Sequence, residues 1–156
     1  MNTIVVYYSR TNTTKRVAED IAANLHCPSE ALVAQKYDSG IIGFFTAGMD
    51  AILKPKTGIK PVNHDPSAFD LVVICTPVWV GTACEPVRAY IAGHAGAFEG
   101  VAFVSTSTWS GGAVAFKEME RACGIVPRAT LDLNENEVKY NKHLPRVMSF
   151  AACLQA

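Results

Sequence analysis

The sequence predicts an α/β fold, a parallel sheet of five strands with helices on both faces. Three observations predict it. Short runs rich in β-branched residues alternate along the chain with segments whose apolar residues recur every three or four positions. The strand-like runs are apolar throughout, as strands covered on both sides must be. Parallel strands in a β-α-β-α order need right-handed crossovers, and those crossovers put helices on both faces. At 156 residues the chain has the length of one domain, 1–156, and can bury one sizeable core.

The elements follow in order. Ile4 to Tyr8 reads as the first strand. Val17, Ile21 and Leu25 then recur four residues apart and give a helix with one apolar stripe. Glu30 to Ala34 is a weaker second strand. Ile41 to Leu53 reads as the second helix, where Phe44 and Phe45 form an apolar patch that packs on the sheet or meets a partner. Lys54 to Pro66, with Pro55, Pro61 and Pro66, reads as loop. Phe69 to Cys75 is the clearest strand, and Glu85 to Ala92 the helix after it, with Val87, Tyr90 and Ile91 on one side. Val101 to Ser105 is the fourth strand. Ala113 to Cys123 is the next helix, with Phe116, Met119 and Cys123 in phase, and Gly124 suits the left-handed residue that ends it. Ile125 to Leu133 supplies the fifth strand. Asn134 and Glu137 are spaced as a capping pair for a last helix towards Leu154, with Pro145 a point where it breaks.

Composition narrows the function classes. Hydrophobic residues make up 49% and charged residues 18%, an ordinary globular balance. Fourteen basic residues match fourteen acidic ones, so no basic surplus points to nucleic acid and no acidic surplus to a steered encounter with a basic partner. No leader pattern opens the sequence, and its densest apolar run, Leu71 to Cys75, is far too short to span a membrane. Five cysteines, at 27, 75, 84, 123 and 153, include no CxxC pair, and the four histidines are scattered. The expectation is a cytoplasmic protein with reduced thiols and no metal site. Cys75 and Cys84 read as core residues, His94 and His143 as exposed ones.

In a parallel sheet, ligands bind beyond the carboxyl ends of the strands, near the point where strand order reverses. The loops after the first, third and fourth strands are therefore the ones that matter. The first, Ser9-Arg10-Thr11-Asn12-Thr13-Thr14, places four hydroxyls and an amide where a helix opens. Unpaired backbone N–H groups and the positive end of the helix dipole make that an anion site. Lacking GK[ST] and GxGxxG, it suits a monophosphate better than a triphosphate or dinucleotide. A capped polar turn is the bland alternative. The third-strand loop, Thr76-Pro77-Val78-Trp79-Val80-Gly81-Thr82, and the fourth-strand loop, Thr106-Ser107-Thr108-Trp109-Ser110-Gly111-Gly112, each carry a tryptophan. Either tryptophan alone also fits a core position. Both at one end of the sheet favour a pair that covers something flat.

These stretches resemble the flavodoxin family. Ile4 to Lys15 is similar to the family's opening, where an S-x-T-G-N-T loop wraps the phosphate of FMN. Phe69 to Thr82, running on to Pro86-Val87-Arg88, resembles the family's D-L-V-x-x-G-T-P-V-W-x-G-T stretch and the P-V-R after it. Ser105 to Gly112, followed by Phe116, matches the loop on the other side of the isoalloxazine. The resemblance covers essentially the whole chain. It implies a flavodoxin-like three-layer sandwich with strand order 2-1-3-4-5 and one non-covalent FMN. By the same resemblance Ser9, Arg10, Thr11, Asn12, Thr13 and Thr14 hold the phosphate. Thr76, Pro77, Val78, Trp79, Val80 and Gly81 line one flavin face or edge, and Thr106, Ser107, Thr108, Trp109, Gly111 and Gly112 the other. Asn12 stands where the family has glycine, and Trp109 where relatives often have glycine or tyrosine.

The flavin brings redox chemistry, and the protein sets its potentials. The leading expectation is an electron carrier between transient redox partner proteins, acting as monomer or homodimer. The alternatives are an NAD(P)H-dependent reductase of quinones or other small acceptors, and a fold relative that has lost the flavin. The neutral charge weakens the role of the very acidic flavodoxins that replace ferredoxin.

Overall fold

Ile4, Val5 and Val6 have no polar side to show to water, so the first strand must lie inside a sheet covered on both faces. In the computed structural model, which describes residues 1–35, 58–109 and 111–156, this strand is β1 (Thr3–Tyr7), and all of it is buried. The chain continues through α1 (Thr13–Leu25), β2 (Ser29–Ala31), a 3₁₀ turn (Pro66–Ala68) and β3 (Leu71–Trp79). Then come β4 (Thr82–Ala83), α2 (Glu85–Gly93), β5 (Val101–Ser107), α3 (Gly112–Cys123), β6 (Thr130–Asn134), α4 (Glu135–Lys139) and α5 (Leu144–Gln155). The helix expected over 41–53, with Phe44 and Phe45, lies outside the described residues, as do 54–57 of the expected loop.

Five parallel strands take the order β2-β1-β3-β5-β6, the predicted arrangement. Successive residues of each central strand face opposite ways, which divides the core in two. On one face Ile4, Val6, Val72, Ile74 and Phe103 meet Val87, Tyr90 and Ile91 of α2 and Phe116 and Met119 of α3. On the other, Val5, Val73, Cys75, Ala102 and Val104 meet Val17, Ala18 and Ile21 of α1 and Val147, Phe150 and Leu154 of α5. Burial pushes the Cys75, Cys84 and Cys123 thiols up from their ordinary range. All five cysteines are unpaired, and no described helix is long and apolar enough to cross a membrane.

Several boundaries differ from expectation, each for a physical reason. β3 runs on past Cys75, because Thr76 and Pro77 still pair with Ser105 and Thr106 of β5 and a proline near a strand end forfeits only its own N–H. Two residues later the chain reverses at Val80 and Gly81, both with positive φ (52° and 78°), so Thr82 and Ala83 pair back as β4. The expected third-strand loop is thus a short hairpin. β2 ends at Ala31, and Ala34 bridges Ile59 instead. β6 starts only at Thr130: Gly124, with φ 75°, caps α3, and Pro127 lies between that cap and the strand. The last helix is two. Pro145 starts α5 within its first turn, where a missing N–H is harmless, and does not break a longer helix.

His143, expected on the surface, is fully buried. It sits just before α5 in the seam with α1, and its Nε2 lies 2.8 Å from Asp20 Oδ2 of that helix. Its Nδ1 has no partner among the described residues. His94 is half-buried, with Nδ1 2.8 Å from the Tyr90 carbonyl oxygen. Next to the seam, Arg16 donates to the Val138 carbonyl at 3.2 Å and to Asn141 Oδ1.

α4 opens with the predicted capping pair. Asn134 Oδ1 accepts the Asn136 N–H at 2.8 Å, and Glu137 Oε2 accepts the Asn134 N–H at 2.8 Å. That backbone bond, with help from Arg146, holds the Glu137 carboxyl below its ordinary range. Its contribution to stability is therefore complete above the unfolded glutamate range near pH 4.3 and is lost as pH falls through the lower folded value. Glu137→Gln is expected to lower stability at pH 7 by about 0.5–1 kcal/mol, with the difference shrinking towards zero near pH 3. Urea unfolding of both proteins at the two pH values measures it, and an equal gap at both would contradict the assignment.

Candidate functional site

The strand order reverses at β1: the chain steps outward to β2, then back across to β3. Crossovers leaving in opposite directions open a crevice above the carboxyl ends of β1 and β3. Three loops reach it.

The first is Ser9 to Asn12. Asn12 takes the left-handed conformation, φ 67°, which an asparagine tolerates better than most residues, and so turns the chain into α1. Its carbonyl accepts the Arg16 N–H at 3.0 Å, but its side chain caps nothing. Among the described residues no side chain caps the first N–H groups of α1, at the positive end of the helix dipole. Hydroxyls gather around that end. Thr11 Oγ1 and Thr13 Oγ1 are 3.4 Å apart, and buried Thr14 holds Thr106 Oγ1 of β5 at 2.8 Å. Ser9 Oγ is enclosed and has no hydrogen-bond partner among the described residues. An orphaned buried hydroxyl costs about 1–3 kcal/mol unless something outside the protein satisfies it.

The β3–β4 hairpin is the second. Thr76 is buried and faces inward: its hydroxyl accepts the Cys84 N–H at 3.1 Å and lies 2.9 Å from the Pro77 carbonyl oxygen. Pro77 and Trp79 face the crevice. Val80 stands fully exposed at the tip, where a β-branched residue at positive φ is strained. The third, after β5, is fixed from below. Ser105 donates to Asp132 Oδ1 at 2.6 Å, and a Cβ on Gly112 would come within 2.5 Å of Ser105 Oγ. Gly111, φ 133°, leaves room for Val78 and Gly81, so the second and third loops touch through it. Ser107 is buried in the strand, and Asn134 Nδ2 donates to the Thr108 carbonyl at 2.8 Å.

Arg10, Thr11, Thr13, Thr14, Pro77, Trp79 and Thr106 line one cleft of about 330 Å³. Ser9 and Asn12 belong to the same loop as Arg10 and Thr11 but not to the cleft lining. Thr76, Val78, Ser107, Thr108, Gly111 and Gly112 also lie outside that lining, as do Val80 and Gly81, which make the β3–β4 turn. The two tryptophans differ: Trp79 is 39% exposed and against Tyr8, whereas Trp109 is 90% exposed and outside the cleft lining. Sequence reasoning missed Glu135. This carboxylate, in the first turn of α4, completes the lining, and Thr108 Oγ1 donates to its Oε2 at 2.9 Å. The signal was present, since the predicted Asn134–Glu137 cap puts residue 135 at the carboxyl end of the last strand, the same end as the other loops.

The cleft thus offers an anion-binding end of free N–H groups and hydroxyls, an acceptor-only carboxylate on its wall, and an aromatic side.

No family model matches the chain, and no match was found among curated proteins. Solved structures do match. A flavoprotein from Lactobacillus acidophilus NCFM, crystallised in complex with FMN, superposes with a TM-score of 0.63 at 20% identity, over 89% of this chain and 97% of that one. A flavodoxin from the domain Archaea matches over the whole of both chains with a TM-score of 0.54 at 16% identity. A WrbA-like flavodoxin from Agrobacterium tumefaciens gives 0.54 at 14% identity, over 99% of this chain and 98% of that one. At such identities the likeness is one of architecture, and in its architecture this chain is flavodoxin-like.

Proposed function

We propose that the cleft binds FMN and that the protein carries electrons between redox partner proteins of the cytoplasm. One observation carries the reading: the start of α1, where Asn12 makes no side-chain cap, and the hydroxyls of Thr11, Thr13 and Thr14 share one cleft with the Trp79 side chain. A flat ligand with an anionic tail satisfies both ends. The solved Lactobacillus acidophilus flavoprotein with a similar fold holds FMN, which agrees with this choice.

The residues fit the group. The first N–H groups of α1 and the hydroxyls of Ser9, Thr11, Thr13 and Thr14 would donate to phosphate oxygens, with Arg10 adding the positive charge that the loop otherwise lacks. Glu135 can only accept, so it suits the hydroxyls of the polyol chain and disfavours a second phosphate beside it. Pro77 and Trp79 would cover the ring and exclude water from one side of it. When bound, FMN supplies one- and two-electron redox chemistry, while the protein contributes position and polarity. The carrier role is favoured by the aromatic cover, since a hydride donor has to stack closely on the ring in a positioned geometry.

Three outcomes are expected. In titrations of apo-protein, FMN binds more tightly than riboflavin or FAD, and Thr11→Ala or Thr14→Ala weakens FMN alone by about 1 kcal/mol or more. Equal affinity for riboflavin and FMN would remove the phosphate assignment. In a Trp109→Phe variant, saturation with FMN quenches the emission of Trp79; persistent emission there would place the Trp79 indole away from the ring. Anaerobic mixing of holo-protein with NADH or NADPH leaves the flavin oxidised for long periods, whereas dithionite reduces it. Bleaching by a pyridine nucleotide at enzyme-like rates would instead make the protein a reductase.

A further inference from the structure

Of the two tryptophans, only Trp79 has an aromatic neighbour among the described residues, and that neighbour lies outside every loop considered so far. Tyr8 follows the last residue of β1. Its N–H donates to the Cys75 carbonyl at 3.3 Å, which continues the β1–β3 ladder by one step and fixes where its side chain starts. The ring then meets Trp79 edge to face, with centroids 5.9 Å apart and planes at 89°. That perpendicular geometry places the positive edge of one ring against the negative face of the other, the favoured arrangement for an aromatic pair. Trp79 is braced elsewhere as well. Its backbone pairs with Thr82 of β4, and Gly111 packs against Val78 and Gly81 on either side of it. Trp109 shows no aromatic pairing among the described residues and is 90% exposed.

We propose that Tyr8 is a positioning residue: through its perpendicular contact it sets the Trp79 indole in advance as a rigid wall of the cleft, against which the flat part of the ligand seats. This rests on the FMN reading for the identity of the ligand, but the fixing of Trp79 does not. A wall already in place loses little side-chain freedom on binding, so affinity is retained that ordering the indole would otherwise diminish. The contact is between the two rings and does not use the tyrosine hydroxyl, so phenylalanine should serve equally well.

Two measurements test this separately, both in a Trp109→Phe background where Trp79 is the sole indole. The first needs no flavin. Time-resolved anisotropy of apo-protein should show Trp79 decaying only with whole-molecule tumbling. Tyr8→Ala should add a fast local component, and Tyr8→Phe should not. Should Tyr8→Ala fail to fold, Tyr8→Leu keeps the apolar bulk and should give the same fast component. The second is FMN affinity, expected to fall about threefold to tenfold in Tyr8→Ala or Tyr8→Leu and to be restored in Tyr8→Phe. An unchanged slow anisotropy in the alanine or leucine variant overturns the proposal, as does a phenylalanine variant as impaired as alanine. Slow anisotropy in the parent with no FMN binding by it would uphold the wall and reject the flavin.

Discussion

A parallel sheet cannot leave a face to water, and most of this molecule follows from that constraint. Each central strand must be apolar on both sides, so its side chains feed two cores at once, one under α2 and α3 and the other under α1 and α5. Each parallel pairing also requires a crossover that returns the chain to the same edge. All strands therefore finish together, and the polar residues they could not carry are displaced into the loops beyond that edge. The hydroxyls at 9–14, the hairpin at 79–82, the turn at 108–112 and Glu135 meet because the sheet has nowhere else to put them.

The electrostatic character of the cleft has the same origin. Its anion-binding end contains no lysine and is built from backbone donors left free by a helix whose first residue caps nothing. Such donors are fixed by the fold and need no rearrangement when an anion arrives. Hydroxyls extend the set without adding charge, and Arg10 brings a cation to the same lining. The neighbouring carboxylate of Glu135 then limits what kind of anion can sit there, since a second charged group would lie against it.

What was legible in the sequence is what local pattern decides. Ile4 to Tyr8 and Leu71 to Cys75 could only be buried strands, Gly124 could end a helix without strain, and Asn134 with Glu137 could begin one. What escaped depends on contacts between distant residues or on local rules overridden. Val80 at positive φ contradicts the preference of a β-branched residue, so the β3–β4 hairpin was invisible. A histidine in polar sequence surroundings reads as exposed, and only the α1–α5 seam buries His143. Residue type also says nothing about support: Trp79 and Trp109 look equivalent until Tyr8 is found against one of them. Glu135 was legible only in combination: its neighbours Asn134 and Glu137 mark a helix start, and the parallel order of the sheet puts that start at the cleft.

The α1–α5 seam has a consequence for how the protein is made. Asp20 and His143 are 123 residues apart in sequence, and Arg16 reaches equally far to Asn141. α1 carries the proposed phosphate-binding end at its start, yet part of its apolar cover arrives with α5. During synthesis the loop that begins α1 emerges early, while the packing that holds the helix in place waits for a contact of very high sequence separation. A ribosome-bound chain with residues 1–140 outside the tunnel would hold α1 against the sheet but without its cover from α5. The crevice end of α1 is thereby given its last cover only when α5 docks, which ties the finishing of the candidate site to the completion of the fold.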